Sequence, residues 1–150
     1  MEENGLGMTE KYSVLGLVVL ISLSGCAATT AVQPKDARFA PKDRIFRLEN
    51  LSPASNATAT FVRDVGFVAG GVYQHLFIDG VKSASLDPGE RVEFVISPGE
   101  HIFGVVPTDP FGSTSINSID QDLKLGRQYF YRIQTDGNTL QTVIQRFLPE

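Results

Sequence analysis

The 150-residue chain has a single cysteine, Cys26, which excludes any internal disulfide. It also lacks a charge excess of one sign. With 13 Lys+Arg against 17 Asp+Glu the formal net charge is −4, which gives no electrostatic ground for nucleic acid or for a polybasic lipid-binding patch. No apolar run is long enough to cross a bilayer. The longest covers residues 12–23, whereas about 30 Å of hydrocarbon needs about 20 apolar residues. Beyond residue 26 no stretch combines a 3.6-residue apolar period with caps, so helices are not expected there. Only two histidines, His75 and His101, are present, and zinc wants three or four ligands. No Gly-x-Ser-x-Gly elbow occurs. Residues 66–71 are glycine-rich but lack the Lys and Ser/Thr of a phosphate loop.

The apolar run is the right size for a secretory h-region, and it closes on Leu23, Ser24, Gly25 and Cys26. This tetrapeptide resembles the lipobox of bacterial lipoproteins. The resemblance implies alkylation of the Cys26 thiol by diacylglycerol, cleavage before Cys26 and acylation of the new amine. Residues 1–25 are then a signal peptide. Glu2, Glu3 and Glu10 outweigh Lys11 ahead of the apolar run, so Met8 is the expected true start. Thioether formation also accounts for an unpaired thiol in an oxidising compartment. Several acyl chains, at about 0.8 kcal/mol per buried methylene, anchor a protein stably where one holds it marginally. Ala27 is not the Asp that marks inner-membrane retention among enteric lipoproteins. The expected address is therefore the periplasmic face of the outer membrane of a Gram-negative bacterium.

Residues 27–150 carry 12 Lys+Arg and 14 Asp+Glu, a formal charge of −2. Residues 26–43 hold Pro34 and Pro41 with no apolar period, and read as a lipidated cysteine followed by a flexible tether. As a coil this tether would span roughly 20 Å. Its tail adds an edge strand near Arg38 and Phe39. Residues 44–150 suffice for one small domain with one core.

From Arg44 on, short β-strands alternate with turn signals every eight to twelve residues. Strands are expected at residues 45–48, 72–78, 81–86, 91–96, 101–106, 116–123, 128–134 and 139–147. Asp79-Gly80 suits a type I′ hairpin. Pro88-Gly89 pre-sets the second turn position and frees the third for positive φ, and Pro98-Gly99 repeats it. Val92, Phe94 and Ile96 alternate with Arg91 and Glu93, and Tyr129, Tyr131 and Ile133 alternate likewise, so both sets are assigned to the core. The fold class is all-β, a small antiparallel β-sandwich of about seven or eight strands.

The series Asp79-Gly80, Pro88-Gly89-Glu90, Pro98-Gly99-Glu100-His101 and residues 126–132 is similar to small all-β lipoproteins of Gram-negative bacteria that carry a domain of unknown function. It also resembles PEGA-like modules. The resemblance covers roughly residues 44–147 and implies a small sandwich; it carries over no catalytic residue and no cofactor. It departs at residues 108–115, where a Pro/Gly/Ser loop sits among the final strands, and at residues 61–71, which are unusually apolar.

Both histidines read as packing residues or as partners in a hydrogen bond to backbone, and Asp120 with Asp122 as a solvated strand face. The apolar segment 61–71 is either a bent edge with a bulge or a loop that docks a partner. On the second reading Phe61, Phe67 and Val68 form an interaction surface. Two functions follow from the sequence. The first is a membrane-anchored, non-enzymatic interaction or structural module that binds an envelope protein or peptidoglycan. The second is a β-sandwich hydrolase or metal-dependent enzyme.

Overall fold

A computed structural model describes residues 29–47, 51–66, 71–108, 116–137, 139 and 141–150. Nine strands form two sheets: β1 (Arg38–Phe39), β2 (Ala57–Arg63), β3 (Gln74–Ile78), β4 (Val81–Leu86), β5 (Glu90–Ile96), β6 (Gly99–Pro107), β7 (Asn117–Leu123), β8 (Gln128–Thr135) and β9 (Thr142–Phe147). The five-stranded sheet runs β1-β5-β2-β8-β9 and the four-stranded sheet β4-β3-β6-β7. They pack face to face as an all-β sandwich. Among the described residues the only helical turns are two short 3₁₀ segments, Lys42–Arg44 and Pro53–Ser55.

Alternation and turn chemistry account for most of this. Val92, Phe94, Ile96, Tyr129, Tyr131 and Ile133 all lie in the core, as their spacing requires. Asp79 and Gly80 take φ of 52° and 77°, the pair of positive values that a I′ hairpin demands, and Gly89 sits at 73°.

The sandwich is not purely antiparallel. β1 runs parallel to β5, and β2 parallel to β8. The second pairing follows from the path of the chain. β7 ends in the other sheet at the end where β2 begins, so β8 enters from there and runs alongside β2 in the same direction.

Strand β2 lies at the centre of the larger sheet, paired on both sides. Phe61 on its inner face is fully buried, stacked on Tyr131 with centroids 5.0 Å apart and edge-on to Phe103 at 5.0 Å. This corrects the expectation that Phe61 belongs to an interaction surface: it joins the two sheets at the middle of the core. Thr60 and Val62, on the outer face of the same strand, are buried as well. Their strand partners on that face include Arg91 and Arg132, so the strand is covered on both sides.

The edge strand expected near Arg38 and Phe39 is present as β1, but the residues before it, 29–37, expected as a flexible tether, are docked. Thr30 and Val65 exchange two backbone hydrogen bonds, and the Val32 N–H donates to Asp64 Oδ1 at 3.1 Å. Arg91 donates to the Pro34 carbonyl. Ala37 and Ala40 are buried. The expected strand at 45–48 is reduced to one bridge, Ile45 to Ala84, and the Phe46 N–H donates to Ser83 O at 2.8 Å; Leu48 lies outside the described residues. Residues 38–47 thus cross from the β1 edge of one sheet to the β4 edge of the other and strap one open side of the sandwich. Arg44 pins the strap, donating to buried Glu90 Oε1 at 2.6 Å and to Ser85 O at 3.3 Å.

Candidate functional site

Two polar constellations stand out from the frame, at opposite ends of the four-stranded sheet. The first is a shallow groove of ≈ 660 Å³ lined by Asp79, Glu100, His101, Ile102, Asp120, Gln121 and Asp122. The antiparallel register of β6 and β7 builds it by setting Glu100 opposite Asp122 and Ile102 opposite Asp120. Two carboxylates directly across a strand pair repel each other and weaken the pairing. Lys124 offsets part of this by bonding to Asp122.

His101 closes the groove against the β3–β4 turn. Its Nδ1 is 2.8 Å from Asp79 Oδ2 and its Nε2 2.9 Å from Ser97 O. Asp79 Oδ1 accepts the Ile102 N–H at 2.9 Å. Burial pulls the Asp79 carboxyl upward and is the largest single influence. The bonds from His101 and the Ile102 N–H, with the charges of His101 and Arg47, together outweigh it and hold the group below the usual range. The groove presents four carboxylates and exposed Ile102, which suits a cationic or hydrogen-bond-donating group beside an apolar one. Among the described residues no three His, Cys, Asp or Glu side chains converge as a metal site would require.

The second constellation is a hydroxyl–imidazole–hydroxyl chain. His75 Nδ1 is 2.8 Å from Ser85 Oγ, and its Nε2 is 2.7 Å from Thr108 Oγ1. Burial, and then the charge of Lys82, push the His75 imidazole below its ordinary value, which favours the neutral ring. A neutral imidazole between two hydroxyls has the outline of a base beside a nucleophile. Ser85, however, is buried, and the third member is a hydroxyl where such sites commonly use a carboxylate.

His101 bonds to backbone at Ser97 O, as the sequence suggested, whereas both partners of His75 are side-chain hydroxyls. The structure brings Asp79, Glu100, His101, Asp120 and Asp122 together, although the sequence offers no motif joining them. One signal was present: the Asp79-Gly80 turn and the strand opened by His101 both lie at turns, which adjacent strands place at the same end. The contribution of Thr108 was not legible, since it depends on the pairing of β3 with β6. Cys26, Phe67 and Val68 lie outside the described residues, as do residues 109–115 of the Pro/Gly/Ser loop.

No family model matches the chain, and neither curated proteins nor solved structures give a match. The functional reading therefore rests on the residues themselves.

Proposed function

We propose that the chain is a lipid-anchored envelope protein whose β-sandwich acts as a non-enzymatic interaction or structural module in the periplasm. The observation that carries this reading is the sequence Leu23, Ser24, Gly25 and Cys26 at the end of a short apolar segment. It stands only three residues ahead of Thr29, which already packs against the sandwich at Gly66. The membrane is engaged through acyl chains on Cys26, and the sandwich is left to meet an envelope protein or peptidoglycan. The periplasmic face of the outer membrane is the proposed address. No cofactor is invoked. The test is Cys26→Ser: wild-type protein should take up labelled palmitate and sediment with membranes, and the variant should do neither. Labelling that survives the substitution would refute the reading.

The alternative, a β-sandwich hydrolase, has one specific observation in its favour, the Ser85–His75–Thr108 chain. It predicts that a serine-directed fluorophosphonate forms an adduct lost in His75→Ala and Thr108→Ala. The interaction-module reading predicts no adduct in any of the three proteins.

A further inference from the structure

Docking of residues 29–43 shortens the tether, and this has a geometric consequence that rests on the lipid-anchor reading above. A coil from Cys26 to Asp43 would leave the sandwich free to turn in any direction. Thr29 is instead packed so closely that a Cβ on Gly66 would lie 2.9 Å from its Cγ2, and Thr30 is bridged to Val65. Only Ala27 and Ala28 separate Thr29 from Cys26. Three residue steps reach at most about 11 Å when fully extended. An acylated Cys26 lies at headgroup level, so the end of the sandwich that carries Val65 is confined there too.

We infer that the bilayer surface lies against this end of the sandwich, around the Pro88-Gly89 corner, and that the acidic groove points away from it. Arg38, Phe39, Val65 and Tyr73 gather at the corner. The Arg38 N–H donates to Gly89 O at 3.0 Å, and a Cβ on Gly89 would meet Val65 Cγ1 at 3.0 Å. Arg63 donates to both Val72 O and Leu86 O, bringing the start of β3 beside the corner. Phe39, Val65 and Tyr73 are 63%, 37% and 41% exposed. Two of them are aromatic rings capped by guanidinium groups, Arg91 over Phe39 at 4.1 Å and Arg44 over Tyr73 at 4.9 Å. Aromatic rings beside cationic groups suit the headgroup zone, where an apolar body and a charged tip are both accommodated. Charge argues in the same direction. Asp79, Glu100, Asp120 and Asp122 stand at the other end of β6, roughly 25 Å away at the rise of a nine-residue strand, where an anionic leaflet repels them least. The groove is then displayed to the periplasmic space.

The test uses the full lipidated protein in vesicles of phosphatidylethanolamine and phosphatidylglycerol. A fluorophore is attached in turn through Val65→Cys, Tyr73→Cys and Asp122→Cys, and quenching by a headgroup-attached nitroxide lipid is read. Labels at positions 65 and 73 should be quenched several-fold more than the label at 122; equal quenching, or more at 122, overturns the inference. Mass spectrometry of the same samples separates the two levels of failure. A Cys26 without acyl chains overturns the anchor reading and this inference together. An acylated Cys26 with equal quenching overturns the inference alone. Inserting about twelve Gly/Ser residues between Ala28 and Thr29 raises the extended reach to about 50 Å, with an r.m.s. span of about 20 Å, and should weaken quenching at Tyr73→Cys. Unchanged quenching there would show that tether length does not hold the end down, and would also overturn it.

Discussion

His101 and Asp79 stand 22 residues apart and meet at 2.8 Å, locking the β3–β4 hairpin turn onto the first residues of β6. Asp79 holds a positive φ of 52° at the same time, so one residue supplies the turn and the clamp. Substitution by Asn, which tolerates that φ and still accepts the Ile102 N–H, isolates the charge. Because the clamp is solvent-accessible, Asp79→Asn should cost only about 0.5 kcal/mol near neutral pH. The sign of its pH dependence is fixed by the lowered carboxyl. The contribution is present above the unfolded value of 3.8 and is lost as pH falls through the folded value. Urea melts at pH 7 and pH 3 check this: the difference between wild type and variant should shrink at the lower pH.

His75 gives a dependence in a different window. Its folded pKa lies below 6.5, so on acidification the unfolded chain takes up a proton before the folded one does. Stability should therefore fall as pH drops from about 6.5, and His75→Gln should flatten that part of the profile. Denaturation midpoints between pH 7.5 and 5 decide the matter.

Phe61→Ala should destabilise the sandwich by about 3–5 kcal/mol, because it opens a cavity between Phe94, Phe103 and Tyr131. Chemical denaturation measures the loss directly. A change below about 1 kcal/mol would contradict the placement of this ring at the centre of the core.

Glu90→Ala removes the buried partner of Arg44 and the acceptor of the Asp87 N–H. The expected loss is about 2 kcal/mol: the part-buried Arg44 keeps its bond to Ser85 O, while the Asp87 N–H loses its acceptor. Hydrogen exchange adds a local reading: the Phe46 amide, bonded to Ser83 O in the strap, should exchange faster in the variant.

The sheets were largely legible from the sequence where a strand has one wet face. Val92, Phe94 and Ile96 alternate with Arg91 and Glu93, and the turns at Asp79-Gly80 and Pro88-Gly89 delimit their strands. β2 was not legible, because both of its faces are covered. Phe61, Val62 and Arg63 run together without alternation, as a doubly buried strand does, and the same pattern suggests an apolar loop. The docked segment escaped for another reason. Its grip comes from backbone bonds at Thr30 and Val32 and from the small side chains of Ala37 and Ala40, none of which produces a period. Arg63 shows how such a strand accommodates a cation: two backbone carbonyls accept its guanidinium, and burial lowers its pKa to about 10. The acidic groove was legible only as separate residues, since the sequence offers no way to set Glu100 across from Asp122 without the register of β6 and β7.

The anchor itself is tested most directly by the intact mass of the protein purified from membranes of its host, together with that of its N-terminal peptide. A lipid-anchored module should begin at Cys26, with a diacylglycerol thioether on the sulfur and an acyl chain on the amine. A chain that keeps residues ahead of Cys26 and carries a free thiol would contradict it.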